Sequence, residues 1–80
     1  MTKVEIDKLK EQFGEHLQKI RESKNLSLLK LSYNCSIDES NISKIEQGKR
    51  NVTIATIFEL AKGLDVHPKK LLDFTFDVDK

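Results

Sequence analysis

Two short stretches of helical periodicity, joined by a tight corner, constrain this chain more than any other feature. The first begins after Ser27, which stands where an N-cap hydroxyl is needed, and the second begins after Asp38, another N-cap candidate. The inward positions of the first stretch are Leu28, Leu31, Ser32 and Cys35. Residues 34–37 show no helical periodicity, and Gly48 is the type of residue at which a helix commonly ends. The sequence therefore predicts two short helices with a turn between them.

The second of these helices has one apolar side and one polar side. Ile42 and Ile45 point inward when side chains are placed at about 100° per residue. The polar side carries Ser40, Ser43, Lys44 and Gln47, flanked by Glu39 and Asn41. Such hydrogen-bond formers suit the base-pair edges of a DNA major groove, although an ordinary solvated face is the alternative for this helix alone. Its place, second in a close pair and followed by Lys49 and Arg50, favours DNA.

The segment from Phe13 to Leu72 resembles the Cro/repressor-type, Xre-like helix-turn-helix domain of bacterial and phage regulators. The resemblance is carried by ISKIEQGKR at residues 42–50, by ELAKGLDV at residues 59–66, and by their spacing. It implies an all-α, five-helix, lambda-repressor-like fold. It also implies a homodimer that controls transcription at a two-fold symmetric operator in double-stranded DNA. The small size further resembles restriction-modification controller proteins and compact phage regulators.

The polar helix face and the resemblance together assign site residues. The predicted base contacts are Glu39, Ser40 and Lys44. The predicted phosphate contacts are Ser27, Ser43, Gln47, Lys49, Arg50 and Asn51. The family also holds the positions of Arg21 and Glu46 as an ion pair between its first and third helices, and both residue types are present here. From sequence alone, two unrelated surface charges are an equal alternative.

Three positions depart from the family pattern. Leu28 stands where the family has a glutamine that binds a phosphate, so that side-chain contact is missing, although backbone N–H groups at the helix start can still bind a phosphate. Leu29 replaces a usually polar residue and lies one turn before Tyr33, which predicts an exposed apolar pair: either a protein contact or scattered surface apolarity. Ser36 takes the turn position usually given to glycine, so a positive φ is expected there at some energetic cost.

Capping residues and periodicity predict the other helices. Thr2 and Glu5 are spaced as a capping box, which begins a long first helix ending at about Ser23. Thr53 is expected to cap a fourth helix, and Pro68 to start a short fifth one. The predicted inward face of the fourth helix consists of Ile54, Ile57, Ala61 and Leu64.

The tail at residues 73–80, DFTFDVDK, alternates apolar and polar side chains, which is a strand period. A strand must pair or lie on a core, so the tail either pairs with the same tail of a second subunit or packs across the fourth and fifth helices of either subunit. The tail and the fifth helix are predicted to form the dimer interface, and a disordered tail is the alternative. The interface residues would be Leu71, Leu72, Phe74, Phe76 and Val78. The Leu29 and Tyr33 pair offers a second place for such an interface.

Composition bounds these interpretations. Eighty residues predict one domain spanning residues 1–80, and its net charge of +1 means that DNA affinity must come from local cations. A single cysteine, Cys35, on an apolar stripe predicts a buried thiol in a reducing cytoplasm. The sequence contains no run of apolar residues typical of a signal peptide or a membrane span, so neither is expected.

Catalytic chemistry finds no support in the sequence. His16, His67 and the lone cysteine fit no metal-site spacing, and no phosphate loop, nucleophile motif or carboxylate dyad is present. We therefore expect no enzymatic activity, no metal and no cofactor. The alternative to a DNA-binding regulator is a protein-interaction module, such as an antitoxin or antirepressor partner, that uses Leu28, Leu29 and Tyr33.

Overall fold

The computed structural model describes residues 1–76 of the chain. This part is all-helical, and none of its helices has an apolar stretch sufficient to span a bilayer. The elements are α1 (Lys3–Ser23), α2 (Leu28–Tyr33), α3 (Glu39–Glu46), α4 (Ile54–Leu64) and a C-terminal 3₁₀ helix (Pro68–Leu72). The predicted five-helix order is confirmed, with the fifth helix wound as a 3₁₀ segment.

Side-chain caps fix where the helices begin. Thr2 Oγ1 accepts a hydrogen bond from the backbone N–H of Glu5, and Glu5 Oε1 accepts one from Thr2 N at 2.7 Å, which completes the predicted capping box. The same bond to the N–H three residues later is made by Ser27, Asp38 and Thr53. These caps satisfy amide groups that have no partner within their helices, so each helix begins at its predicted residue.

The end of α3 depends on Gly48. Its φ of +75° is the left-handed conformation that glycine adopts without steric cost. Its N–H bonds to the carbonyl of Ile45, and the N–H of Lys49 bonds to the carbonyl of Lys44 at 2.9 Å. The chain therefore turns sharply after α3, as predicted, and enters the basic segment that begins at Lys49.

One core joins all five helices. Its buried apolar residues are Phe13, Leu17, Ile20, Leu31, Ile42, Ile45, Leu60, Ala61, Leu64 and Leu71. The predicted inward face of α4 is wrong at Ile54, which is 76% exposed, and it omitted Leu60, which is buried. Because Leu60 belongs to the buried face of α4, the centre of that face is rotated away from the predicted direction. Ile54 lies about 70° from this centre on the helical wheel.

The corner between α2 and α3 is not built as predicted. Ser36 has no positive φ; among the described residues positive values occur only at Asn25, Gly48 and Asp65. Hydrogen bonds to α4 hold the corner instead: Ser36 N donates to Glu59 Oε1 at 3.0 Å, and Asn34 Nδ2 donates to the carbonyl of Gly63 at 3.3 Å. The prediction of left-handed strain at Ser36 is therefore wrong, because tertiary contacts replace the glycine turn.

Two glycines allow neighbouring helices to approach closely. A methyl group on Gly14 would overlap the backbone carbonyls of Ile45 and Glu46, so α1 lies directly against the end of α3. A methyl group on Gly63 would stand 2.7 Å from Leu31 Cδ1, so the side chain of this α2 residue packs directly on α4. The helix pair α2–α3 is thus held between α1 and α4, with the closest backbone approach at Gly14.

The start of the tail packs on α1. The ring of Phe74 lies edge-on to Phe13, with centroids 6.4 Å apart, and 5.4 Å from the ring of His16. The predicted strand is wrong for residues 73–76, because the backbone there forms no strand and the half-buried ring of Phe74 packs against its own chain. The remainder of the predicted strand, Asp77 to Lys80, lies outside the described residues.

Candidate nucleic-acid interface

The two sides of α3 differ as the sequence predicts. Ile42 and Ile45 are buried in the core. The exposed side chains of α3 and its C-cap are Glu39, Ser40, Lys44 and Gln47, while Asn41 and Ser43 are half-buried. All three predicted base-contact residues therefore lie on the solvent side of a helix whose opposite side is fixed in the core.

Hydrogen bonds divide the polar residues of α3 into two groups. Gln47 Nε2 donates to Ser43 Oγ at 2.9 Å, and Asn41 Nδ2 donates to Asp38 Oδ2 at 3.3 Å, so these side chains hold each other. The side chains of Glu39, Ser40 and Lys44 make no hydrogen bond within residues 1–76. The predicted base-contact residues are thus the ones whose polar atoms are free to bind a partner.

Charge is polarised along α3. Asp38 and Glu39 lie at its N-terminus, where carboxylates complement the helix dipole, and Lys44 lies in its last turn. Lys49 and Arg50 follow immediately and are exposed. The C-terminal half of α3 and the segment after it therefore form a local cationic surface on a chain with a net charge of only +1.

The predicted phosphate contacts lie around α3. Arg50 and Asn51 line a shallow depression of about 290 Å³ together with Asn41 of α3 and Thr56 of α4. Ser27 is exposed at the start of α2, and its Oγ accepts a hydrogen bond from Lys30 N at 3.0 Å. The structure brings Arg50 and Asn51 to the side of α3, whereas Ser27 lies at the first turn of the other helix of the pair.

A buried ion pair fixes α3 to α1. Arg21 Nε donates to Glu46 Oε2 at 2.7 Å and Arg21 Nη2 donates to Glu46 Oε1 at 3.0 Å, with side-chain exposures of only 10% and 6%. The third interaction is a 2.8 Å bond from Arg21 Nη1 to the carbonyl of Leu26, which precedes α2. The hydrogen bond to Glu46 raises the pKa of Arg21 despite its desolvation. The guanidinium therefore ties α1, α3 and the α1–α2 loop together.

The predicted dimer interface needs correction. Leu71 is wrong as an interface residue because its side chain is fully buried in the core of its own chain. Phe74 is half-buried against α1, and Phe76 is partly exposed. Leu72 is 56% exposed, and Val78 lies outside the described residues.

Sequence reasoning missed two exposed apolar residues on α4. Ile54 was assigned to the core, and Phe58, which is 58% exposed, was assigned no role. The available signal was the spacing of these two residues, four apart on a helix that already has a complete apolar face without them. Ile54 and Phe58 therefore form an exposed apolar pair outside the core face of α4.

The apolar pair on α2 is exposed, as predicted. Tyr33 is 74% exposed and Leu29 is also exposed. Leu28 differs from this pair because its side chain is partly buried against the core, so only part of it is exposed to a protein partner. Cys35 is half-buried rather than fully buried, and its Sγ donates to the carbonyl of Leu31 at 3.3 Å.

Comparison with known proteins gives the family. The profile of the helix-turn-helix family matches residues 17–71. The control protein C.BamHI of Bacillus amyloliquefaciens is 47% identical over 64 residues, which are 79% of this chain and 79% of C.BamHI. The control protein C.MunI of a Mycoplasma species is 30% identical over 76 residues, covering 94% of this chain and 99% of that protein.

A solved structure agrees with both sequence matches. The restriction-modification controller protein C.AhdI of Aeromonas hydrophila superposes with a TM-score of 0.74 at 36% identity, covering 76% of this chain and 92% of that one. The family match to residues 17–71 includes the helix pair and the cationic segment described above. This chain belongs to the helix-turn-helix family of DNA-binding transcriptional regulators and is homologous to C.BamHI and other restriction-modification controller proteins.

Proposed function

We propose that this chain binds a two-fold symmetric operator as a homodimer, with α3 of each subunit in the major groove. The observation that supports this most strongly is the set of free polar groups on the exposed side of α3, opposite two buried isoleucines. A helix fixed by its apolar side and by a buried ion pair presents those groups rigidly. Rigid presentation matters because base readout depends on hydrogen-bond geometry.

The three base-contact residues would read different edges. Lys44 can donate to O6 and N7 of guanine, and Glu39 can accept from N4 of cytosine. Ser40 can both donate and accept, so it is compatible with more than one base pair. Glu39 would also repel phosphates, and its position on the groove side therefore favours a docking in which it meets a cytosine.

The phosphate contacts would set the position of α3 in the groove. Lys49 and Arg50 supply the charge, and Asn51 beside them supplies an amide donor. Ser43 and Gln47 would contact a phosphate as a hydrogen-bonded pair, and Ser27 would contact one from the start of α2. These contacts carry no sequence information but account for most of the salt dependence of binding.

The proposed function also has a role and a location in the cell. Its role is regulatory rather than catalytic, and its place is the cytoplasm, where a bacterial regulator meets the chromosome. Residues 1–80 would act as one domain, since a single core joins the five helices.

The direct test of DNA binding is fluorescence anisotropy with random-sequence duplexes at rising salt concentration. Binding that weakens steeply with salt supports the proposal, and no binding at low salt contradicts it.

A protein-interaction module is the second candidate, because Leu29 and Tyr33 form an exposed apolar pair on α2. Such a contact would be apolar and would persist at high salt. Tyr33→Ser should then abolish partner co-purification without changing DNA affinity. Loss of DNA affinity in Tyr33→Ser would place the pair at the DNA surface instead.

A further inference from the structure

The two ends of α3 are held by different parts of the chain. The last residue of α3, Glu46, is fixed to α1 by the buried ion pair with Arg21. Glu39 and Ser40, which are proposed base contacts, lie in the first turn, and a helix of eight residues separates its ends by about 12 Å. The first turn directly follows the corner at residues 34–38, so the position of these two side chains depends on what holds that corner.

The backbone of the corner lacks hydrogen bonds of its own. Within residues 1–76, the N–H groups of residues 35–38 donate to no backbone carbonyl. The N–H of Ser36 donates instead to Glu59 Oε1 of α4, at 3.0 Å. A carboxylate that accepts an N–H forms a charge-assisted hydrogen bond, which is stronger than a bond between neutral groups. The backbone hydrogen bond that holds the corner is therefore supplied by Glu59 and not by the corner itself.

The carboxylate of Glu59 is available for this contact. Its side chain is half-buried and takes part in no ion pair within residues 1–76. Gly63, one turn later on the same face of α4, accepts a hydrogen bond from Asn34 Nδ2 at 3.3 Å. Two contacts one turn apart on α4 therefore hold the start and the middle of the corner.

We propose that Glu59 is a positioning residue for base recognition: its carboxylate holds Ser36, and through the corner it sets where the first turn of α3 lies. Glu59 itself contacts no base in this arrangement, whereas Glu39 and Ser40 do. Lys44, in the last turn, is placed by the ion pair with α1 and does not depend on Glu59. This inference rests on the proposed docking of α3 in the major groove and assigns the residue that fixes the geometry at one end of the helix.

The consequence differs between base contacts and phosphate contacts. A shift of about 0.5–1 Å takes a short side chain such as that of Ser40 out of hydrogen-bond range of a base edge. Lys49 has a long, flexible side chain and can follow a phosphate over such a distance. A change at Glu59 should therefore weaken binding to the operator and leave binding to random duplexes nearly unchanged.

The variants Glu59→Ala and Glu59→Gln separate the acceptor from the charge. Both remove the negative charge, but only glutamine keeps an oxygen that can accept from Ser36 N. In fluorescence anisotropy with the operator that the parent chain selects from random DNA, Glu59→Ala should bind about tenfold more weakly, which is the contribution of one good base contact, and Glu59→Gln should lie within about threefold of the parent. Lys62→Ala, which removes an exposed charge from the same helix, is the matched control and should bind as the parent does.

The pattern of lost base preference shows whether Glu59 acts through the first turn. Glu59→Ala should relax the same base pairs as Ser40→Ala and keep those that Lys44→Ala relaxes. A general loss of stability would instead weaken binding to all duplexes alike. An unchanged operator affinity, an equal loss on random duplexes, a loss confined to the Lys44 base pairs, or no recovery with glutamine would overturn the positioning role.

Amide hydrogen exchange tests the contact without DNA, and it needs no folded alanine variant. The Ser36 N–H should be protected in the parent chain and in Glu59→Gln. A parent Ser36 amide that exchanges as fast as that of an unfolded chain overturns the inference. A parent with a protected Ser36 amide that selects no operator contradicts the proposed docking instead, and the positioning role falls with it.

Discussion

Replacing Glu46 by alanine tests how α3 is fixed in position. In the folded chain the carboxylate accepts two charge-assisted hydrogen bonds from Arg21, at 2.7 and 3.0 Å, and both side chains are almost fully buried. Without it, the guanidinium keeps only its bond to the carbonyl of Leu26. A buried cation with its counter-charge removed is among the costliest defects that one substitution can create.

The expected loss follows from that geometry. Removing one partner of a buried ion pair costs roughly 3–5 kcal/mol in the free energy of unfolding. A domain of this size has a total stability on the order of 5–15 kcal/mol, so Glu46→Ala removes a large part of it. Removing one partner of a surface pair would cost less than about 1 kcal/mol, so the measured loss distinguishes a buried pair from a surface pair.

Urea unfolding followed by circular dichroism, at one fixed protein concentration, measures this loss. Glu15→Ala, which removes an exposed carboxylate in the middle of α1, is the control and should change stability by less than about 0.5 kcal/mol. The double variant Arg21→Met, Glu46→Leu should recover most of the loss, because a packed apolar pair can replace a buried ion pair. A loss below about 1 kcal/mol for Glu46→Ala would refute the reasoning.

Three further predictions concern other contacts. Lys49→Ala and Arg50→Ala should each weaken binding to all duplexes alike and reduce the slope of log affinity against log salt by about one unit; an unchanged slope in anisotropy titrations would remove these residues from the phosphate contacts. Gly14→Ala should lower stability by roughly 1–3 kcal/mol despite the better helix propensity of alanine, because the methyl group overlaps backbone carbonyls of α3; a higher melting temperature would contradict that fit. Asp65→Gly should raise stability by roughly 0.5–1 kcal/mol, because Asp65 holds a φ of 57° at the end of α4, and a urea midpoint that falls would show that its side chain has a role of its own.

The sequence predicted best what depends on neighbouring residues. Helix starts at Thr2, Ser27, Asp38 and Thr53 follow from side chains that bond amides three residues away, so their spacing is visible in the chain. The polar side of α3 is equally local, because two isoleucines three residues apart fix the direction of the core.

What the sequence could not predict depends on distant contacts. The corner at Ser36 needs no positive φ because Glu59, on another helix, accepts its N–H. The periodicity of α4 predicts an apolar helix but does not fix which of its sides faces the core. The predicted face therefore includes Ile54, which is exposed, and omits Leu60, which is buried. The sequence of Leu71 and its neighbours does not reveal whether this apolar side chain is covered by its own core or by a partner, and the structure buries it in its own core.

A parallel selection of bound duplexes from random DNA, with the parent chain and with Lys44→Ala, tests most directly that α3 reads bases. The parent should select a two-fold symmetric site whose half-sites lie about one helical turn apart. Lys44→Ala should lose preference at one base pair in each half-site, equivalent to about 1–3 kcal/mol, and keep the rest. Identical selected sites for the two proteins, or no enriched sequence for the parent, would contradict the placement of α3 in the major groove.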